Sequence, residues 1–117
     1  MKEFVTKDSG KRVDYSSGMR RDIQDGKPRY DLIYEPFLTE LAMLMMRGAK
    51  KYGDRNWEKA NSVEELFRFK ASAWRHFIQL MRGDNDEAHR SAVAFNLAAI
   101  QMLMDKLKID INGNKIE

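Results

Sequence analysis

The sequence predicts an all-α protein built on three main helices, at about 36–52, 63–82 and 86–107. Three observations carry that expectation. Apolar residues recur at helical spacing through most of the chain after position 36, the two prolines both lie at or before Pro36, and methionine is abundant. The chain has 117 residues, enough for one domain with a modest core. A single domain over 1–117 is expected, with 1–25 and 108–117 peripheral and the bundle completed by oligomerisation.

The first 34 residues are polar and interrupted by Gly10, Gly18 and Gly26. The stretch "KDSGKR" reads as a turn of a weak hairpin between Phe4-Val5 and Val13-Tyr15. "GKPRYDLI" should lead inward as an extended, partly buried segment, because a residue preceding proline avoids the helical region.

The first helix should open at Pro36, with Glu35 and Glu40 in its early turns, where negative charge suits the helix dipole. Phe37, Leu38, Leu41, Ala42, Leu44, Met45 and Met46 make it apolar nearly all round. Such a helix is buried on more than one side, and in a chain this short the second surface is expected from another subunit. It should stop at Tyr52, with Gly53 as a left-handed cap.

The second helix begins at a capping-box pair, Ser62 and Glu65. Leu66, Phe67, Lys70, Ala71, Trp74, Phe77, Ile78 and Met81 follow at close to 3.6-residue spacing, opposite Arg68, Ser72, Arg75, Gln79 and Arg82. Gly83 ends it. The third helix should be capped by Asn85 or Asp86. From Ala92 to Met104 only Asn96 and Gln101 are polar, so this helix is central. The tail contains an Asn-Gly turn between two β-prone pieces.

Composition excludes several classes. A net charge of +3 is too small to argue for duplex DNA or any nucleic acid polymer as partner. Without cysteine, neither a disulfide framework nor a thiolate zinc site can form. No apolar run approaches the roughly 18 residues that span a bilayer. The N-terminal residues lack the apolar core of a signal peptide, so a cytoplasmic location is expected. Phosphate loops, dinucleotide glycine patterns, HExxH and EF-hand spacings are missing.

Candidate chemistry lies in four places. Asn96 sits mid-helix among apolar residues, one heptad after His89, with Asp86 and Glu87 at the helix start. Carboxylates, an imidazole and an amide on one stripe suit Mg²⁺ or Mn²⁺; an N-cap, a solvated histidine and a satisfied core amide account for them equally. Glu40 is a polar interruption on the first helix, and antiparallel packing would turn it toward the His89/Asn96 stripe. Arg68, Arg75 and Arg82 repeat every seven residues, with His76 beside Arg75, while Lys27 and Arg29 flank Pro28. Finally, "GAKKYGDRNW" (48–57) gathers Lys50, Lys51 and Arg55 around Tyr52, Asn56 and Trp57. Polyphosphates call for several cations, arginine binding their oxygens in forked pairs, and aromatic rings can stack on a base. Singly, each of these residues is also ordinary surface or packing.

The blocks "GKPRYDLI", "GAKKYGDRNW", "RFKASAWRHF" and "GDNDEAHRSAVAFN", in that order over residues 26–96, resemble the phage dATP/dGTP diphosphohydrolases, or MazZ-like proteins. These are similar to the all-α MazG-type nucleotide pyrophosphohydrolases. The resemblance implies a homodimer or homotetramer that cleaves purine deoxynucleoside triphosphates to monophosphate and pyrophosphate with Mg²⁺ or Mn²⁺, in a host cytoplasm if phage-encoded. It implies Glu40, Asp86, Glu87, His89 and Asn96 as metal ligands and Glu40 or Glu87 as the catalytic carboxylate. Lys50, Lys51, Arg55, Arg75 and His76 would serve the phosphates, and Asn56 and Trp57 the base or sugar. One departure stands out. MazG-type enzymes carry ExxE and ExxD pairs, whereas Glu40 here has Phe37 and Met43 at those offsets, and the third helix has no ExxD. The ligand set must therefore be rearranged, completed by a neighbouring subunit, or incomplete. In the last case the protein would bind and sequester a nucleotide without cleaving it. A purely structural oligomer built on the Met-rich first helix is the remaining reading.

Overall fold

The computed structural model describes residues 3–116 and is mainly helical, as expected. The residues form two compact units, one up to Leu32 and one from Ile33 onward.

The first unit holds a two-stranded antiparallel ribbon, β1 (Arg12–Asp14) and β2 (Arg20–Asp22). Arg12 pairs with Asp22 in register, and Asp14 with Arg20. The hairpin therefore differs from the expected one. Its turn is Tyr15–Gly18, where the Gly18 amide donates to the Tyr15 carbonyl at 2.9 Å. Phe4 and Val5 fall outside the strands. Opposite charges face each other across the ribbon: Arg20 meets Asp14, and Arg12 meets both Asp8 and Asp22. "KDSGKR" does turn, through the Gly10 amide donating to the Asp8 carboxylate at 2.8 Å, but it leads into β1 and does not join the two strands. The segment after Pro28 is also not extended. Tyr30–Leu32 is a 3-10 turn with exposed side chains, and Arg29 grips Asp31 two residues on.

The second unit contains α1 (Glu35–Tyr52), α2 (Val63–Arg82) and α3 (His89–Leu107). Helix α3 packs along α2 and, over fewer residues, along α1. It contributes Ala92, Ala99, Ile100 and Leu103 to the buried apolar set, joined by Leu66, Ala60 and Ile109. α2 starts as its capping box dictates. The Ser62 hydroxyl accepts from the Glu65 amide at 3.2 Å, and the Glu65 carboxylate accepts from the Asn61 amide at 3.0 Å and the Ser62 hydroxyl at 2.7 Å. These bonds hold the Glu65 carboxyl below its usual range, the Asn61 amide most of all. Gly83 closes α2 in the left-handed region, φ 88°, and its amide reaches the Gln79 and Leu80 carbonyls.

Three helix features depart from the sequence reading. Gly53 ends α1 at φ 95°, ψ 158°, and the left-handed conformation falls instead on Arg55, φ 57°. α3 begins at His89, after Ala88, with no side-chain cap. Asp86 is unavailable as a cap because its carboxylate accepts from the His89 ring, 2.8 Å away. The stripe of α2 that meets the core is Leu66, Phe69 and Ala73, ending at buried His76. The neighbouring stripe of Phe67, Trp74, Ile78 and Met81 is exposed, and no residue of α1 is buried.

The tail folds back as a bridge between Ile109 and Lys115, and Ile109 is buried. Its Asn-Gly turn places Gly113 where a Cβ would lie 2.7 Å from a Val63 methyl. Only glycine fits there, since the conformation is also positive in φ, 86°. Among the described residues, no helix is long and apolar enough to cross a membrane.

Removing the cap hydroxyl leaves the Glu65 amide without its acceptor. Ser62→Ala should lower unfolding free energy by about 1 kcal/mol, read as a shift in urea midpoint at unchanged m-value. Leu103→Ala, at a fully buried site, should cost about 2–5 kcal/mol in the same assay.

Candidate functional site

The loop from α1 to α2 is built to hold side chains in place. Arg55 takes its left-handed conformation and opens a 3-10 turn at Asn56–Lys59. Its guanidinium bonds the Glu58 carboxylate at 2.9 Å. The Lys106 ammonium, reaching across from α3, donates to the Glu58 and Ala60 carbonyls, both at 2.7 Å. The Trp57 ring stands edge-on to Phe95 of α3, with centroids 5.8 Å apart. Two α3 residues therefore tie this loop to the helical core.

That loop, α1, α2 and α3 enclose an open cleft of about 1220 Å³. Cations line it from three elements: Arg47 and Lys51 from α1, Arg55 and Lys59 from the loop, Arg68 and Arg75 from α2. Tyr52, Asn56 and Trp57 line it too, with the Lys51 ammonium over the Tyr52 ring at 5.2 Å. Lys50 does not reach this cleft. Of the heptad arginines, Arg68 and Arg75 line it, whereas Arg82 grips Asp84. In the first unit, Lys27 pairs with Asp22. Lys59 and Phe95 were not singled out from sequence. A lone lysine and a phenylalanine in an apolar helix carry no local signal of a cleft.

At the cleft wall, His76, Glu87 and His89 converge, each offering a ligand atom within 4.8 Å of the others. The two imidazoles are buried, and their Nδ1 atoms are 2.9 Å apart. The other His89 nitrogen, Nε2, lies 2.8 Å from the Asp86 carboxylate. An ionised carboxylate only accepts, so Nε2 carries a proton, and the two Nδ1 atoms hold one proton between them. Bonding to His89 in turn pulls the Asp86 carboxyl below its usual range. Burial pushes His76 down from the ordinary imidazole value, and the Arg75 charge pushes the same way.

Of the ligands expected from sequence, the structure therefore brings Glu87 and His89 together. Asp86 stands behind His89, and the third member, His76, was assigned to phosphate. Asn96 is buried and lines the cleft; its amide donates to the Ala92 carbonyl at 2.9 Å and the Ser72 hydroxyl at 3.1 Å. Glu40 lines a second, smaller cavity of about 460 Å³ together with Arg47, Glu87 and His89. There the Arg90 guanidinium grips it, with the shortest bond at 2.8 Å. Glu40 and Asn96 thus belong to different cavities, and Glu87 borders both.

The cleft is thus lined with lysines and arginines beside buried His76 and exposed Glu87. This chain belongs to the dATP/dGTP diphosphohydrolase family, whose N-terminal-domain model it matches over residues 17–112. No curated protein and no solved structure matches it.

Lys106→Met should free the Glu58 and Ala60 carbonyls. Hydrogen exchange at the amides of 56–60 should then quicken, while the protected amides of α3 keep their rates.

Proposed function

We propose that the chain is a divalent-ion-dependent nucleotide pyrophosphohydrolase that cleaves dATP and dGTP to the monophosphate and pyrophosphate. One observation carries the reading: cations, flat rings and the His76/Glu87 pair line a single cleft. Family membership supports it, since the family's name specifies this activity.

In this reading Lys51, Arg55, Arg68 and Arg75 hold the phosphate chain, the arginines by forked bonds to its oxygens. Tyr52, Asn56 and Trp57 take the base and sugar. Water attacks the α phosphorus, the bond to the bridging α–β oxygen breaks, and pyrophosphate leaves with that oxygen. Glu87, exposed and bordering both cavities, orients the water with one carboxylate oxygen and accepts its proton. Glu40 is the second carboxylate of this seam, held by Arg90. When bound, a divalent ion such as Mg²⁺ or Mn²⁺ polarises the phosphates and acidifies water. Charge growing on the leaving group is met by Arg75.

The exposed stripes explain why an oligomer belongs to this reading. Leu38, Met43 and Met46 of α1, and Trp74, Ile78 and Met81 of α2, are large apolar groups left uncovered within one chain. A homodimer or homotetramer would bury them. A second reading, a nucleotide-sequestering protein of the same fold, is favoured by the Arg90–Glu40 pair, which occupies a carboxylate that catalysis would need.

Incubation with dATP or dGTP and Mn²⁺ should release pyrophosphate in step with the monophosphate. Nucleotide binding without any product would establish sequestration instead. Arg75→Ala should lower kcat/KM by on the order of 100-fold with unchanged thermal stability. Light scattering should give a mass above that of one chain, and Trp74→Glu should return it to the monomer.

A further inference from the structure

We propose that His76, Glu87 and His89 form a site for a first-row transition-metal dication, of the Mn²⁺, Co²⁺ or Zn²⁺ class, and discriminate against Mg²⁺. The inference deepens the reading above, which gives the ion its use, but it stands on the geometry of the cluster.

Two of the three ligands are imidazole nitrogens. Mg²⁺ prefers oxygen in near-ideal octahedral surroundings and dehydrates reluctantly, while imidazole suits the transition dications. The spacing of the two imidazoles fits such an ion. Nitrogens bound at about 2.1 Å lie about 3 Å apart in a square arrangement and about 3.4 Å apart in a tetrahedral one, and the two Nδ1 atoms are 2.9 Å apart. Nitrogens that close otherwise need one proton between them. An entering ion would take both lone pairs, and that proton would leave to solvent through the cleft.

The surroundings also match. Asp86 accepts from the far nitrogen of His89 at 2.8 Å. This carboxylate–histidine arrangement fixes the tautomer that leaves Nδ1 free for a metal and makes it more basic. The imidazoles are 8% and 2% exposed, so their ring positions are set by packing. Glu87 is exposed and supplies the one negative charge among the three. With three protein ligands and a cleft on the side of His76 and Glu87, a coordination position is left open, as catalytic sites require and structural ones do not.

The experiment uses the full chain, freed of metal by chelation and with no nucleotide present. Co²⁺ titration should produce visible d–d bands of a nitrogen-containing site with saturable one-to-one uptake. Millimolar Mg²⁺ should not displace the Co²⁺. His76→Gln and His89→Gln should abolish the bands. Because both rings are buried, circular dichroism of the metal-free variants must show intact helices. Two variants at exposed carboxylates are read with the same circular-dichroism check: Glu87→Gln should abolish saturable uptake, and Asp86→Asn should weaken it about 10- to 100-fold. The proposal is overturned if Co²⁺ uptake is absent, if Mg²⁺ competes on equal terms, or if uptake is indifferent to Glu87→Gln and Asp86→Asn. Metal uptake with no dNTP cleavage would sink the pyrophosphohydrolase reading and leave this site standing; cleavage supported by Mg²⁺ in the His76→Gln protein would do the reverse.

Discussion

The contact between His76 and His89 is the constraint on which the site depends. Two imidazoles taken out of water must each find partners, because an unpaired buried polar group costs about 1–3 kcal/mol. They satisfy each other at Nδ1, and Asp86 satisfies His89 from behind. That arrangement locks the end of α2 to the start of α3 and draws Asp86 away from the cap position. The N-terminal half of α3 has a largely polar core, burying His89, Ser91 and Asn96 beside Ala92. Its C-terminal half is an ordinary apolar one, holding Ala99, Ile100 and Leu103.

The apolar half serves the polar half. Leu66 and Leu103 pack α2 against α3, the two helices that carry the imidazoles. Lys106, near the end of α3, holds the loop bearing Asn56 and Trp57, and Phe95 stands against the Trp57 ring. One helix thus places the cluster at its start, the aromatic wall at its middle and the loop clamp at its end. Charge is divided in a similar way. Cations line the cleft from α1, the loop and α2, and Glu87 stands on its wall beside His76.

Much of this was legible in the sequence, and the failures have physical causes. Helix positions, the Ser62/Glu65 box and the Gly83 stop could be read because local chemistry decides them. The family was legible from four short blocks in order. The hairpin was misplaced because its stability comes from cross-strand charge pairs, which apolar alternation does not reveal. The core stripe of α2 was displaced to Phe67, Trp74 and Ile78 because two adjacent faces are apolar and periodicity cannot say which one meets α3. His76 and His89 are thirteen residues apart on different helices, so no spacing rule joins them. Lys106 was invisible for a similar reason: its partners are backbone carbonyls.

The most direct test of the account is anomalous diffraction from crystals grown with Mn²⁺ and a non-hydrolysable dGTP analogue. The account requires an anomalous peak within bonding distance of both Nδ1 atoms of His76 and His89, with the phosphate chain laid along Arg75 and Lys51. An unbroken imidazole pair, with the ion or the nucleotide bound elsewhere, would contradict it.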